Sequence, residues 1–261
     1  MHHDALATWT RPLFVSLPVK SFYFFVIYGT LEETFPEIDH QTYRSLGLPE
    51  GMELQSHALT EREERHDEFQ VGSGWEEFNR ESPQAAEAVM HAPTCVALRG
   101  ELPDAEHLNQ LRDCIGMIMF LLDHGGTAVC DVLTGNWYSS LDWRLKIFGE
   151  GILATQSLIA YHSIEQPDGR LHLYTRGMRR FARPDLSMKD VEFKVEPTRM
   201  AMIHHLANSM IAGGSIPNGH RLQFPELATS LTCQWQGSLD DPFFYNFWLK
   251  LDADEQSSQA F

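Results

Sequence analysis

No long apolar run, no surplus of positive charge and no paired-cysteine motif occurs in these 261 residues. Each absence excludes something. The most apolar short run, Phe22–Tyr28, falls far below the about 20 residues that crossing a bilayer requires. Met1-His2-His3-Asp4 is not a basic region leading into an apolar one, and is read as no secretion signal. Lys and Arg number 20 against 36 Asp and Glu, a formal net charge of −16. Nucleic acid and anionic membranes are held by clustered Lys and Arg, so neither is an expected partner. Cys95, Cys114, Cys130 and Cys233 are widely spaced and form no C-x-x-C. Three of the four sit in apolar runs, which reads as reduced, buried thiols in a cytoplasmic bacterial-type protein rather than two disulfides or a zinc site.

Signatures of catalysis are missing too. There is no G-x-S-x-G elbow, H-E-x-x-H, S-x-x-K or calcium loop. Gly72-Ser73-Gly74 does not extend to G-x-G-x-x-G and lacks the phosphate-loop lysine. Thirteen histidines invite a metal reading, with His204 and His205 the obvious pair. Neighbouring helical residues project about 100° apart and cannot grip one ion. His124, in Asp123-His124-Gly125-Gly126, suits a helix C-terminus without acting there. No catalytic residue, metal ligand or cofactor is therefore assigned.

What is present is core-forming sequence. Hydrophobic residues make up 43% and charged residues 21%, the balance of a folded chain. Leu13–Leu17 and Phe22–Tyr28 read as strands flanking Pro18. The second is apolar on both faces and should lie centrally, covered on both sides. A short helix is expected within Leu31–Leu48, and a charged, capped helix over Thr60–Gln70. Trp75–Phe78 and Pro83–Met90 read as helical, with Ser82 as cap. Thr94–Arg99, the long amphipathic helix Pro103–His124 and Thr127–Leu133 form a strand–helix–strand unit sized to connect parallel neighbours. Trp137–Gly149 reads as a short helix over the sheet.

The stretch from Gln156 to Gly214 organises the second half. Strands at Gln156–Ile164 and Arg170–Thr175 join through Pro167-Asp168-Gly169 as a hairpin. A helix over Pro197–Ala212, buried through Met200, Ile203, Ala207 and Met210, should lie across it. Further strands are expected at Arg221–Phe224, Leu227–Gln236 and Phe243–Leu251, before a frayed acidic tail.

Between hairpin and helix, Arg176, Arg179, Arg180 and Arg183 fall within eight positions of an otherwise acidic chain. Arginine forks match carboxylate and phosphate. These four are the candidate ligand-binding residues. The competing reading pairs them with internal acids, locking the connection to the body.

Leu173-Tyr174-Thr175-Arg176-Gly177-Met178, then Phe181 and Pro184-Asp185-Leu186, resembles a "Thr-x-Gly-Met … Phe-Gly … Pro-Glu/Asp-Leu" signature. His205-Leu206-Ala207-Asn208 and Pro217-Asn218-Gly219-His220 resemble the same family's "Leu-Ala … Asp-Gly-Asp-Thr" pattern. The family is the bacterial domain of unknown function 4261. Ala182 replaces its usual glycine and His220 its usual acid. The likeness covers the last third of the chain and implies an α+β bacterial domain. Some members occur in polymorphic-toxin or secretion neighbourhoods, and the family supplies no catalytic residues.

The expected architecture is α+β, a mixed, mainly antiparallel sheet with amphipathic helices packed on it. The expected divisions are an N-terminal section over 1–92, a core over 93–251 and a tail over 252–261. The expected function is that of a non-enzymatic, immunity- or adaptor-like protein whose acidic surface meets a basic protein partner. The alternative is a small-anion binder or enzyme using Arg176–Arg183.

Overall fold

The computed structural model describes residues 6–32, 34–59, 69–224 and 229–254. It is an α+β fold with two mostly antiparallel sheets. The first sheet contains β1 (Ser21–Gly29), β2 (Met52–Ala58), β3 (Thr94–Leu102), β4 (Gly126–Asp131) and β5 (Asn136–Ser139), in the order β2-β3-β1-β4-β5. β1 takes the middle because it is apolar on both faces. Phe25 and Ile27 enter the main core, and Val26 and Tyr28 a second cluster beneath α2 (Gly72–Glu81) and α3 (Pro83–Met90), the helices that follow the short α1 (His40–Tyr43). The two halves of this sheet meet across position 93, since β3 pairs with both β1 and β2.

The strand–helix–strand unit differs from expectation. β3 and β4 both run antiparallel to β1, which lies between them, so they are parallel to each other but not neighbours. Its helix, α4 (Asn109–Asp123), starts six residues after the expected Pro103, because the chain first makes a bridge from His107 to Thr10. Leu13–Leu17 forms no strand. Leu13 and Val15 donate their amides to Ala212 and Gly213 beyond a helix end, and both side chains are exposed. The expected helix at Thr60–Gln70 falls, apart from Phe69 and Gln70, outside the described residues. Trp137–Gly149 divides into β5, a turn of helix α5 (Ser140–Asp142) and a π-helical turn over Trp143–Phe148. Trp143 is fully buried and edge-on to Phe25 at 5.7 Å.

The second sheet contains β6 (Ala160–Glu165), β7 (Leu171–Arg176), β8 (Asp185–Val191), β9 (Arg221–Phe224), β10 (Thr229–Gly237) and β11 (Phe247–Asp254), ordered β6-β7-β8-β11-β10-β9. Its hairpin begins at Ala160 rather than Gln156. Leu158 and Ile159 are apolar because they fill the core ahead of the strand. α6 (Glu196–Ile211) covers one sheet face, burying Met202, Ile203, Leu206, Ala207 and Met210, while Met200 is only half-buried. Leu171 and Leu173 lie in the ladder beneath it. One apolar cluster runs through both sheets, α4 and α6. All four cysteines are buried and unbridged. No helix among the described residues is long and apolar enough to cross a membrane.

Candidate interaction site

The Arg176–Arg183 segment connects β7 to β8 within the second sheet and packs against the first. Gly177 turns the chain at φ +102°, and Met178–Phe181 forms a single 3-10 turn. Ala182 follows at φ +53°, a left-handed conformation that glycine adopts without strain. The turn sends its arginines in different directions. Arg180 enters the core, fully buried, where one guanidinium nitrogen meets both Asp131 oxygens at 2.7 and 2.6 Å. Arg183, 1% exposed, holds Asp104 at 2.9 Å and the carbonyls of Val15, Gly213 and Gly214. Asp104 also takes Arg11 at 2.6 Å. Burial, and then the Arg183 charge, push the Arg11 guanidinium below its ordinary value.

Arg179 lies nearer the surface, its guanidinium 4.5 Å from the Phe22 ring centroid and 2.9 Å from Glu101. Its other nitrogen donates to the Tyr245 carbonyl at 2.9 Å. Arg176 forms no ion pair among the described residues, and its buried Nε has no hydrogen-bond partner. The structure therefore places Arg180 and Arg183 on internal carboxylates, puts Arg179 across the joint between the sheets, and leaves only Arg176 of the four without an ionic partner. His204, of the histidine pair, is exposed and stacks on Tyr161 at 3.8 Å. Among the described residues no three His, Cys, Asp or Glu side chains gather as metal ligands.

Asp185 is the most perturbed acid nearby. It is fully buried at the start of β8. It accepts from Thr175 Oγ1 at 3.0 Å, the Met178 amide at 3.2 Å and Asn246 Nδ2 at 2.8 Å. Burial pushes its carboxyl up to about 7, against the pull of those donors. Asn246 also donates to the Arg183 carbonyl at 2.9 Å. Asp185 and Asn246 thus fasten the loop 238–246 to the sheet.

That loop was not singled out in the sequence, and it is the most constructed surface feature here. Asp241 accepts the amides of Phe243 and Phe244 at 2.9 and 2.8 Å, an Asx cap, and its carbonyl takes the Tyr245 amide at 2.7 Å. Tyr245 is held at φ +53°, an uncommon conformation for an aromatic residue that costs on the order of 1 kcal/mol or more. Phe243 and Tyr245 nevertheless stay 46% and 52% exposed. Beneath them, on the sheet face opposite α6, runs an aromatic ladder. His162 stacks on Tyr174 at 4.7 Å, Tyr174 meets Phe243 at 4.9 Å, and Phe244 meets Trp248 at 5.5 Å. His172 lies 4.8 Å from Tyr174 and shares a 2.8 Å hydrogen bond with Ser187. Burial, followed by the Lys189 charge, lowers His172 to about 4. Burial and Arg176 lower His162 as well. Both rings are thus neutral near pH 7. The signal for this site was legible only as the density of Phe243-Phe244-Tyr245-Asn246 after Asp240-Asp241-Pro242.

Comparison with family models, with curated proteins and with solved structures returns no match.

Proposed function

We propose that the protein is a non-catalytic interaction module and that the loop 238–246 docks a basic protein partner. The observation that carries this reading is Tyr245. Its backbone is strained, it is locked by Arg179, Asp241 and Asn246, and its ring is left in solvent. A pre-ordered aromatic anchor binds without the entropy cost of ordering a loop. Exposed Asp240 beside Phe243 and Tyr245 suits a Lys- or Arg-bearing segment, by ion pairing and by contact over aromatic faces.

Charge supports the same partner chemistry. Buried Arg11, Arg112, Arg180 and Arg183 face buried Asp104, Asp113 and Asp131, with Asp185 titrating near neutrality. Among the described residues internal acids do not outnumber internal bases, so that interior does not account for the chain's −16. The immunity- or adaptor-like role and the resemblance to the bacterial family belong to this reading. The alternative anion clamp needs guanidinium groups that Arg180 and Arg183 keep inside.

The test is affinity capture from the source cells at low and physiological salt, with Phe243→Ser/Tyr245→Ser as control. The expected result is a basic polypeptide retained by the wild type at low salt, weakened by added salt and lost with the variant. Retention of no basic protein, or equal retention by a folded variant, refutes the proposal.

A further inference from the structure

β8 and β11 are the one parallel pair in the second sheet, and they pair over only three positions, Asp185–Ser187 against Trp248–Lys250. Both continue for four residues beyond that, β8 to Val191 and β11 to Asp254, without pairing with each other. A bulge in β8, where Lys189 and Asp190 oppose the single His172 of β7 and Asp190 takes φ +59°, lets β8 follow β7 instead. The C-terminal ends of a parallel pair thus open into a cleft, the position where α/β sheets commonly hold ligands. Its volume is about 310 Å³.

Four cations line it in this acidic chain, Arg170, Lys189, Lys194 and Arg199. Lys194 is engaged with Glu192 at 2.7 Å, and Lys250 holds the Asp252 carboxylate of the cleft wall at 2.9 Å. Arg170, Lys189 and Arg199 form no ion pair among the described residues, and Asp190 is the one lining carboxylate not engaged in such a pair. The polar contacts of the two arginine side chains are weak. Arg170 reaches the Asp190 carbonyl at 3.5 Å and Arg199 the Met202 sulfur at 3.6 Å. The cleft therefore carries a local positive surplus, and screening within about 8 Å at physiological salt shields it from the distant acidic surface. Arg199 and Val195 also place the start of α6 at its edge. The remaining wall is aliphatic, with Met188, Val191 and Leu251, and no aromatic ring lines it.

We infer that this cleft binds a small phosphate monoester. Two arginine forks and a lysine match a dianion better than a monocarboxylate. The missing aromatic surface disfavours a nucleobase, leaving a phosphorylated aliphatic or polyol body as the ligand class. This site is separate from the loop 238–246 and stands or falls without it.

Titration calorimetry with glycerol 3-phosphate, in buffer of matched ionic strength, tests the inference on the full chain. Arg170→Gln and Arg199→Gln alter half-buried or exposed side chains and should leave the melting temperature unchanged. Saturable binding is expected, weakened about tenfold by either substitution, the loss of one charge-assisted contact. Arg99→Gln, at an exposed position of the otherwise mostly buried β3, changes net charge equally and should leave affinity unaltered. Absence of saturable binding, equal weakening by Arg99→Gln, or tighter binding of citrate than of the phosphate ester would each overturn the assignment.

Discussion

Asp185 shows how one residue joins chemistry to stability. Its carboxyl rests near 7 in the fold against 3.8 in a model peptide, because burial outweighs three donors. The folded chain then holds a proton more tightly than the unfolded one. The stabilisation is complete below about pH 4 and is lost as pH rises through about 7. His162 and His172 act with the opposite sign. Their lowered values mean stability is lost as pH falls below their ordinary 6.5. Comparison with Asp185→Asn removes the histidine share. Urea unfolding should show the wild type losing stability relative to Asp185→Asn between about pH 4 and 7. Parallel profiles for the two proteins would contradict this account. The sequence showed Asp185 only as part of a Pro-Asp-Leu signature. Its burial depends on Asn246, a residue 61 positions away, and no local pattern reports that.

At the scale of elements, the arginine-rich connection was legible as a cluster but not as a joint. The competing reading, internal pairing, describes Arg180 and Arg183. Their partners Asp131 and Asp104 lie 49 and 79 positions upstream, at the end of β4 and after β3. Periodicity found α4 and α6 because an amphipathic stripe is local. It misplaced the start of β6, since Leu158 and Ile159 are buried for packing rather than pairing. The two apolar faces of β1 marked it as central, but nothing local could show that β3 and β4 would flank it. The Arg180–Asp131 tie holds the 3-10 turn against the first sheet, with the guanidinium 5.2 Å from the Phe25 ring centroid. Arg180→Met alone strands a buried carboxylate and should cost about 3–5 kcal/mol. Arg180→Met with Asp131→Leu should recover most of that loss, because desolvation of both charges disappears together. A double-mutant cycle by chemical denaturation measures the coupling, and additive losses would show that the tie is not what secures the turn.

For the whole molecule, the decisive feature is that the core is shared. Each sheet has its own pairing, yet Phe25 and Leu98 of the first and Leu173 and Leu249 of the second belong to one buried cluster. Polar joints run alongside it, with Arg11, Arg180 and Arg183 each bonding across the two halves. A sheet that depends on the other for its buried face cannot unfold alone without exposing that face. Leu249→Ala, at a fully buried position of β11, should cost about 2–5 kcal/mol. It should also lower the melting of both halves together, although the substitution touches only the second sheet. Trp137 and Trp143 report on the first half, and Trp235 and Trp248 on the second. Single-tryptophan versions of the variant can therefore be followed separately by fluorescence. Coincident curves are expected. A first-half transition that stays at the wild-type temperature while the second half melts early would mean that the common cluster does not couple the sheets.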